Sequence, residues 1–194
     1  MPLLDEAKKF AVVKYGPDQL TGYPHAMRVS VNAKDLAKLH GADAEIVELA
    51  AIFHDISLDG RNIATHAVES ANICDTFLRD NRCPAEKRER IIAIIRKHTI
   101  RDWTMQGAPA TTEEKILFDA EALERITMHG LMRFITMAFR LPYNSTKEVI
   151  KATEKFMDEN YNSMFFDESK NKAQENYLLV KNAIARIKEE LDIR

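Results

Sequence analysis

The sequence predicts an all-α fold, a single helical bundle of roughly eight or nine helices. That expectation rests on three features of the chain. No convincing run alternates apolar and polar residues as a half-buried strand would. Helix breakers are sparse, with six glycines and six prolines in 194 residues. Capping residues recur at the starts of apolar-periodic segments, and there is no repeat, low-complexity run or obvious linker between them.

The elements follow in order. A first helix covers about 3–14 and stops before "YGPD". A second starts near "YPHAMRV", with Pro24 in its first turn, and runs to Gly41, a natural stop. Asp43 caps a third, about 44–55, and the "SLDGRN" turn follows. Thr65 starts a fourth, to about Asp80, and Pro84 opens a fifth, to about His98. "TIRDWTMQGAPA" reads as a loop. Thr111 and Glu114 have capping-box spacing and begin a helix to about 128. Another helical stretch spans about 131–141. Ser145 and Glu148 repeat the capping-box pattern for 146–160, and an amphipathic helix covers about 168–192.

Composition narrows the function classes. Apolar residues make up 45% and charged residues 30%, enough for an ordinary globule with a real core. A net charge of −2 gives no strong nucleic-acid signal, because such binding needs Lys and Arg against phosphates. No apolar stretch approaches the roughly 20 residues that span a bilayer, and the N-terminus lacks a cleavable apolar region. Cys74 and Cys83 form no close pair, so they read as reduced thiols of a cytoplasmic protein, not as zinc ligands.

Helical spacing places several titratable groups on apolar faces. His54 lies four residues after Ala50 and seven after Val47, so it ends a buried stripe. His98 lies three after Ile95, four after Ile94 and seven after Ile91. His66 precedes Ser70, Ile73, Cys74 and Phe77 on one face. His25 leads Val29, Ala33 and Leu36, and Asp119 sits three after Ile116. Each alone has an ordinary explanation. An inward histidine is more often a hydrogen-bonded core residue, and Asp119 could cap or pair with an arginine. Together they are harder to bury, since each unsatisfied group costs about 1–3 kcal/mol. One shared divalent cation satisfies them all. Adjacent His54 and Asp55 diverge by about 100° on a helix, so both reach one ion only at a frayed end. "HDISLDG" supplies that end.

These residues, in this order, resemble the signature of the HD-domain superfamily of metal-dependent phosphohydrolases. "HAMRV" resembles the first family motif, "LAAIFHDI" the second and "EKILFDAEALERI" the last. The tail "MFFDESKNKAQENYLLVKNAIARIKEELD" is similar to the closing helix of small bacterial and archaeal HD hydrolases. The resemblance covers nearly the whole chain. It implies a single HD domain, with a metal-site core over about 20–130 and the helices of 145–192 packed on it. It implies that His25, His54, Asp55 and Asp119 bind a first metal. His66 and His98 stand where two-metal members place further ligands, with Asp55 then bridging the ions. Alternatively, His66 and His98 only orient substrate or water. The family's HD-x-G-K pattern is broken, since Ser57 and Leu58 replace its glycine and lysine. Arg28, Arg61, Arg96 and Lys97 are the candidate phosphate contacts in its place.

The resemblance therefore implies hydrolysis of a small phosphorylated substrate, with Asp55 as catalytic ligand. Glu69, one turn after His66, reads either as a proton shuttle or outer partner or as an ordinary helix-surface glutamate. Imidazole and carboxylate donors suit iron, manganese, zinc, cobalt or nickel, as one ion or two. Two alternatives stay open: a di-iron oxygenase on the same scaffold, and a non-catalytic binding module. Trp103 and Met105 line the pocket mouth or anchor the core. His40 and His129 read as surface residues. The last helix packs inward or onto a second subunit, which leaves a homodimer open.

Overall fold

The computed structural model of the protein describes residues 2–17, 22–59, 62–139, 141–143 and 145–193. Among these residues there are ten α-helices and no strand. They are α1 (Leu3–Tyr15), α2 (Tyr23–His40), α3 (Ala44–Phe53), α4 (His66–Asp80), α5 (Ala85–Arg96), α6 (Trp103–Gln106), α7 (Thr112–Arg125), α8 (Met128–Ala138), α9 (Thr146–Asn162) and α10 (Asp167–Glu190). The extra helix comes from the segment expected to be a loop. There a 3-10 turn at Ile100–Asp102 leads into the single turn of α6. Thr99 Oγ1 donates to Asp102 at 2.8 Å and Trp103 Nε1 donates to the Lys97 carbonyl at 3.1 Å, which holds that turn shut.

The caps behave as their chemistry requires. Asp43 accepts from the N–H groups of Glu45 and Ile46 at 3.0 and 3.2 Å. Gly41 takes a left-handed conformation (φ 65°, ψ 27°) that ends α2 without a Cβ penalty. The Thr111–Glu114 capping box is reciprocal. Glu114 N–H donates to Thr111 Oγ1 at 3.2 Å, and Thr111 N–H donates to the Glu114 carboxylate at 3.1 Å. Ser145 caps α9, and Thr127 caps α8 by accepting from Gly130 N–H at 2.9 Å. That second cap splits the expected 111–128 helix from its successor at Ile126–Thr127.

The chain divides into two compact units, 1–121 and 122–194. In the first, α3 is the central helix, touching α1, α2, α4 and α5. Every residue from Ile46 to Phe53 is buried, which explains an almost uniformly apolar sequence. Phe10, Phe53 and Phe77 form a triangle of rings with centroids 5.0–5.8 Å apart, joining α1, α3 and α4. The second unit has its own core of Leu131, Ile150, Met157, Val180, Ile184 and Ile193. Phe134 stacks on Phe156 beside it, at 4.1 Å between centroids.

Candidate metal centre

α3 ends at Phe53, and the chain enters tight turns in which Ile56 N–H donates to Phe53 O and Leu58 N–H to Asp55 O. Leaving the helix lets two sequence neighbours aim at one place. His54 Nε2 and Asp55 Oδ2 lie 3.4 Å apart, both groups buried. His25, in the first turn of α2, brings its Nε2 to 3.2 Å from His54 Nε2 and 3.7 Å from Asp55 Oδ2. Glu121 of α7 places Oε1 at 3.7 Å from His54 Nε2. These four residues form one group that could hold a metal ion, and Asp55, His66 and His98 form a second. In the second, His66 Nε2 and His98 Nε2 are 3.2 Å apart, and each is 3.3 Å from Asp55 Oδ1. Asp55 thus turns one oxygen to each group.

The tautomers follow from the hydrogen bonds. His54, His66 and His98 each set Nδ1 against a main-chain carbonyl three residues back, Ala51, Ile63 and Ile95, at 2.7, 2.9 and 2.7 Å. A carbonyl only accepts, so Nδ1 carries the hydrogen and the Nε2 lone pair of each neutral ring faces the cluster. In the neutral pair of His66 and His98, lone pairs facing each other at 3.2 Å repel unless a cation lies between them. Donors at about 2.1 Å from a common ion stand about 3.0–3.4 Å apart in octahedral or tetrahedral geometry. Five of the observed separations, 3.2–3.4 Å, fall in that range, and the other two, at 3.7 Å, lie about 0.3 Å beyond it. The residues therefore fit a divalent metal.

Electrostatics agrees. Burial alone would lower the His54 pKa, but the charge and hydrogen bond of Asp55, with Glu121 behind them, push it up to about 9. His66 is raised for the same reason, against its own burial. Burial works against Asp55 ionisation, yet the facing His54, His66 and His98 hold it well below the usual carboxylate range. The cluster is built to keep its carboxylate ionised and to attract positive charge. Tyr15, at the end of α1, donates its hydroxyl to the Ile52 carbonyl at 3.0 Å. Burial, then Asp55 and Glu121, keep that phenol protonated.

One expected donor is not among the residues of these two groups. Asp119 is fully buried but belongs to neither group, and Glu121 supplies the carboxylate instead. Residues two apart on a helix, such as 119 and 121, diverge by about 200°. Asn32 Nδ2 donates to the Ala120 carbonyl at 3.2 Å, fastening α7 beside Glu121 to the helix that carries His25. Spacing could have found Glu121, which lies four after Leu117 and three after Phe118. The signal was blurred because every residue from 116 to 124 is buried.

The other expected residues scatter. Glu69 is exposed, and its carboxylate accepts from Thr65 Oγ1 at 2.5 Å and Asn62 Nδ2 at 2.6 Å. Those two bonds lower its pKa, which makes it a weaker base and a brace for the turn before α4. Arg28 is half-buried, one turn beyond His25 on α2. Arg61 lies outside the described residues. Lys97 is tied to Glu114 at 2.8 Å. Trp103 anchors inward, its ring 5.1 Å from Phe118, while Met105 is exposed. Cys74 and Cys83 are buried free thiols.

Residues 22–126, just over half of the chain, match the HD domain family model. The chain belongs to the HD-domain family. Several solved structures share its fold. A Lactobacillus plantarum protein is 19% identical over 99% of this chain and 98% of its own, with a TM-score of 0.82. YpgQ of Bacillus subtilis, solved in complex with ADP, is 20% identical over 96% and 97%, with a TM-score of 0.71. An HD-superfamily hydrolase of Bacillus thuringiensis is 17% identical over 98% and 97%, with a TM-score of 0.68. No curated protein sequence matches the chain. In this HD domain the aspartate of the histidine–aspartate doublet is the residue that both donor groups share.

Proposed function

We propose that this HD-domain protein is a metal-dependent hydrolase of a small phosphate ester, a nucleotide included, working through an activated water. The observation that carries the reading is the convergence of four imidazole Nε2 atoms and two carboxylates at metal-ligand spacing, divided by Asp55 into two groups. His25, His54, Asp55 and Glu121 would hold one divalent ion, and Asp55, His66 and His98 a second. Nitrogen and oxygen donors favour iron, manganese, zinc, cobalt or nickel. Such ions supply the charge that makes water nucleophilic near neutral pH and that offsets charge on phosphoryl oxygens.

The chain's own groups do the rest. The three Nδ1 anchors keep the ring nitrogens aimed inward, so little reorganisation is needed on binding. Asp55 sets the separation of the two halves. Arg28 contacts the phosphoryl oxygens, taking over from the lysine that Leu58 replaces. Water adds to phosphorus, the ester P–O bond breaks, and the alcohol leaves with a proton. The ADP complex of YpgQ supports a phosphorylated ligand, and the hydrolase description of the B. thuringiensis relative supports hydrolysis.

Elemental analysis of untreated protein, followed by a screen of phosphomonoesters, phosphodiesters and nucleotides with the metal found, tests this. Turnover that is lost on chelation and restored by that metal supports the reading. No phosphate release with any of the five metals would count against it. Oxygen consumption by iron-loaded protein would point to oxidative chemistry instead.

A further inference from the structure

We infer that Ser57 and Ser70 form a hydroxyl clip that positions the second half of the centre, Asp55, His66 and His98. This rests on the proposal that the centre takes two cations. Ser57 lies two residues after Asp55, and Ser70 lies one turn after His66 on α4. Ser57 N–H contacts Ser70 Oγ at 3.2 Å, the two Oγ atoms are 2.9 Å apart, and Ser57 Oγ reaches the His66 carbonyl at 2.9 Å. Only one proton arrangement serves all three contacts. The N–H can only donate and the carbonyl can only accept. So Ser57 N–H donates to Ser70 Oγ, Ser70 O–H donates to Ser57 Oγ, and Ser57 O–H donates to His66 O. Each hydroxyl donates once and accepts once.

The chain of bonds joins the turn carrying Asp55 directly to the backbone of His66. A second brace runs beside it. Asn62 Nδ2 donates to Ser57 O at 2.9 Å, and His66 N–H donates to Asn62 O at 2.8 Å. His66 also sets its ring against Ile63 O, inside the same turn. The 3.3 Å approach of His66 Nε2 to Asp55 Oδ1 thus depends on this clip. The three bonds of the clip run among Ser57, Ser70 and His66, not to His25, His54 or Glu121. Ser70 is fully buried, so its hydroxyl has no water to fall back on. The serine that breaks the family's HD-x-G-K pattern thereby fastens α4 to the turn after the doublet, where a glycine would keep the backbone contacts and lose both hydroxyl bonds.

The test titrates metal-free protein with cobalt(II), reading stoichiometry and affinity by calorimetry and elemental analysis. Wild type should take up two equivalents, the tighter in the four-donor group. Ser57→Ala and Ser70→Ala should each keep the tighter equivalent within about twofold and weaken the other about 10–100-fold, the usual effect of losing a bond behind a ligand. His66→Ala should remove that same equivalent, and Ser57→Thr should restore wild-type binding. Far-UV circular dichroism checks folding. If an alanine variant is unfolded, Ser57→Thr against Ser57→Val repeats the comparison with one hydroxyl as the difference. Both equivalents bound as in wild type, or both weakened alike, would overturn the clip while leaving the metal centre standing. A single equivalent in wild type overturns the clip as well, and none overturns the metal centre with it.

Discussion

At the scale of single residues, the centre depends on which side chain of α7 faces His54. Asp119 and Glu121 are both fully buried, but only Glu121 joins the donor group. Glu121→Gln should therefore weaken the tighter metal at least about tenfold. Asp119→Asn should leave that affinity within a few-fold, and isothermal titration of the two variants decides between them. His54→Ala should abolish uptake in the four-donor group while the helical circular dichroism largely survives. Unchanged metal content in that variant would sink the ligand assignment. The histidines and the doublet were legible in the sequence, because apolar periodicity gives a polar exception a face. Glu121 was not, because a helix buried on every side has no face for periodicity to single out.

At the scale of elements, Glu114 acts in two places. It closes the α7 capping box, and it holds Lys97, the residue before His98, at 2.8 Å. It also accepts from Ala110 N–H at 2.6 Å. Burial opposes its ionisation, but Lys97 and the two backbone donors win, and its pKa is lowered from 4.5. A carboxylate lowered on folding stabilises fully above its unfolded pKa and loses that contribution as pH falls through the folded value. Acid unfolding of the wild type should thus carry a Glu114 component below about pH 4.5. In Glu114→Gln that component should vanish, with stability lower at neutral pH and converging on wild type in acid. Denaturant midpoints measured across that range check it. Capping residues were also where the sequence located helix starts most reliably, at Asp43, Thr111 and Ser145. The 3-10 turn and α6 escaped the sequence reading, because a single turn is held by its Asp102 and Trp103 contacts and not by any periodic pattern.

At the scale of the whole molecule, the two cores set stability, and the proposed metal would add to it. Cations bound only by the folded state should raise stability by about 2.7 kcal/mol at a free concentration about 100 times the dissociation constant. Thermal melts should rise on metal addition and fall with chelator, and no shift with any of the five metals would argue against a folded-state site. Met157 is fully buried in the core of the second unit. Met157→Ala should cost about 2–5 kcal/mol by chemical denaturation.

The sequence by itself determined the helical class, the capped helix starts, the inward histidines and the family, since each is written in local spacing and residue type. Only the tertiary structure brought Glu121 to His54, turned Asp55 to two groups at once, and set Ser57 against Ser70. Those outcomes turn on separations of about 3 Å between residues remote along the chain, and local periodicity carries no information at that distance.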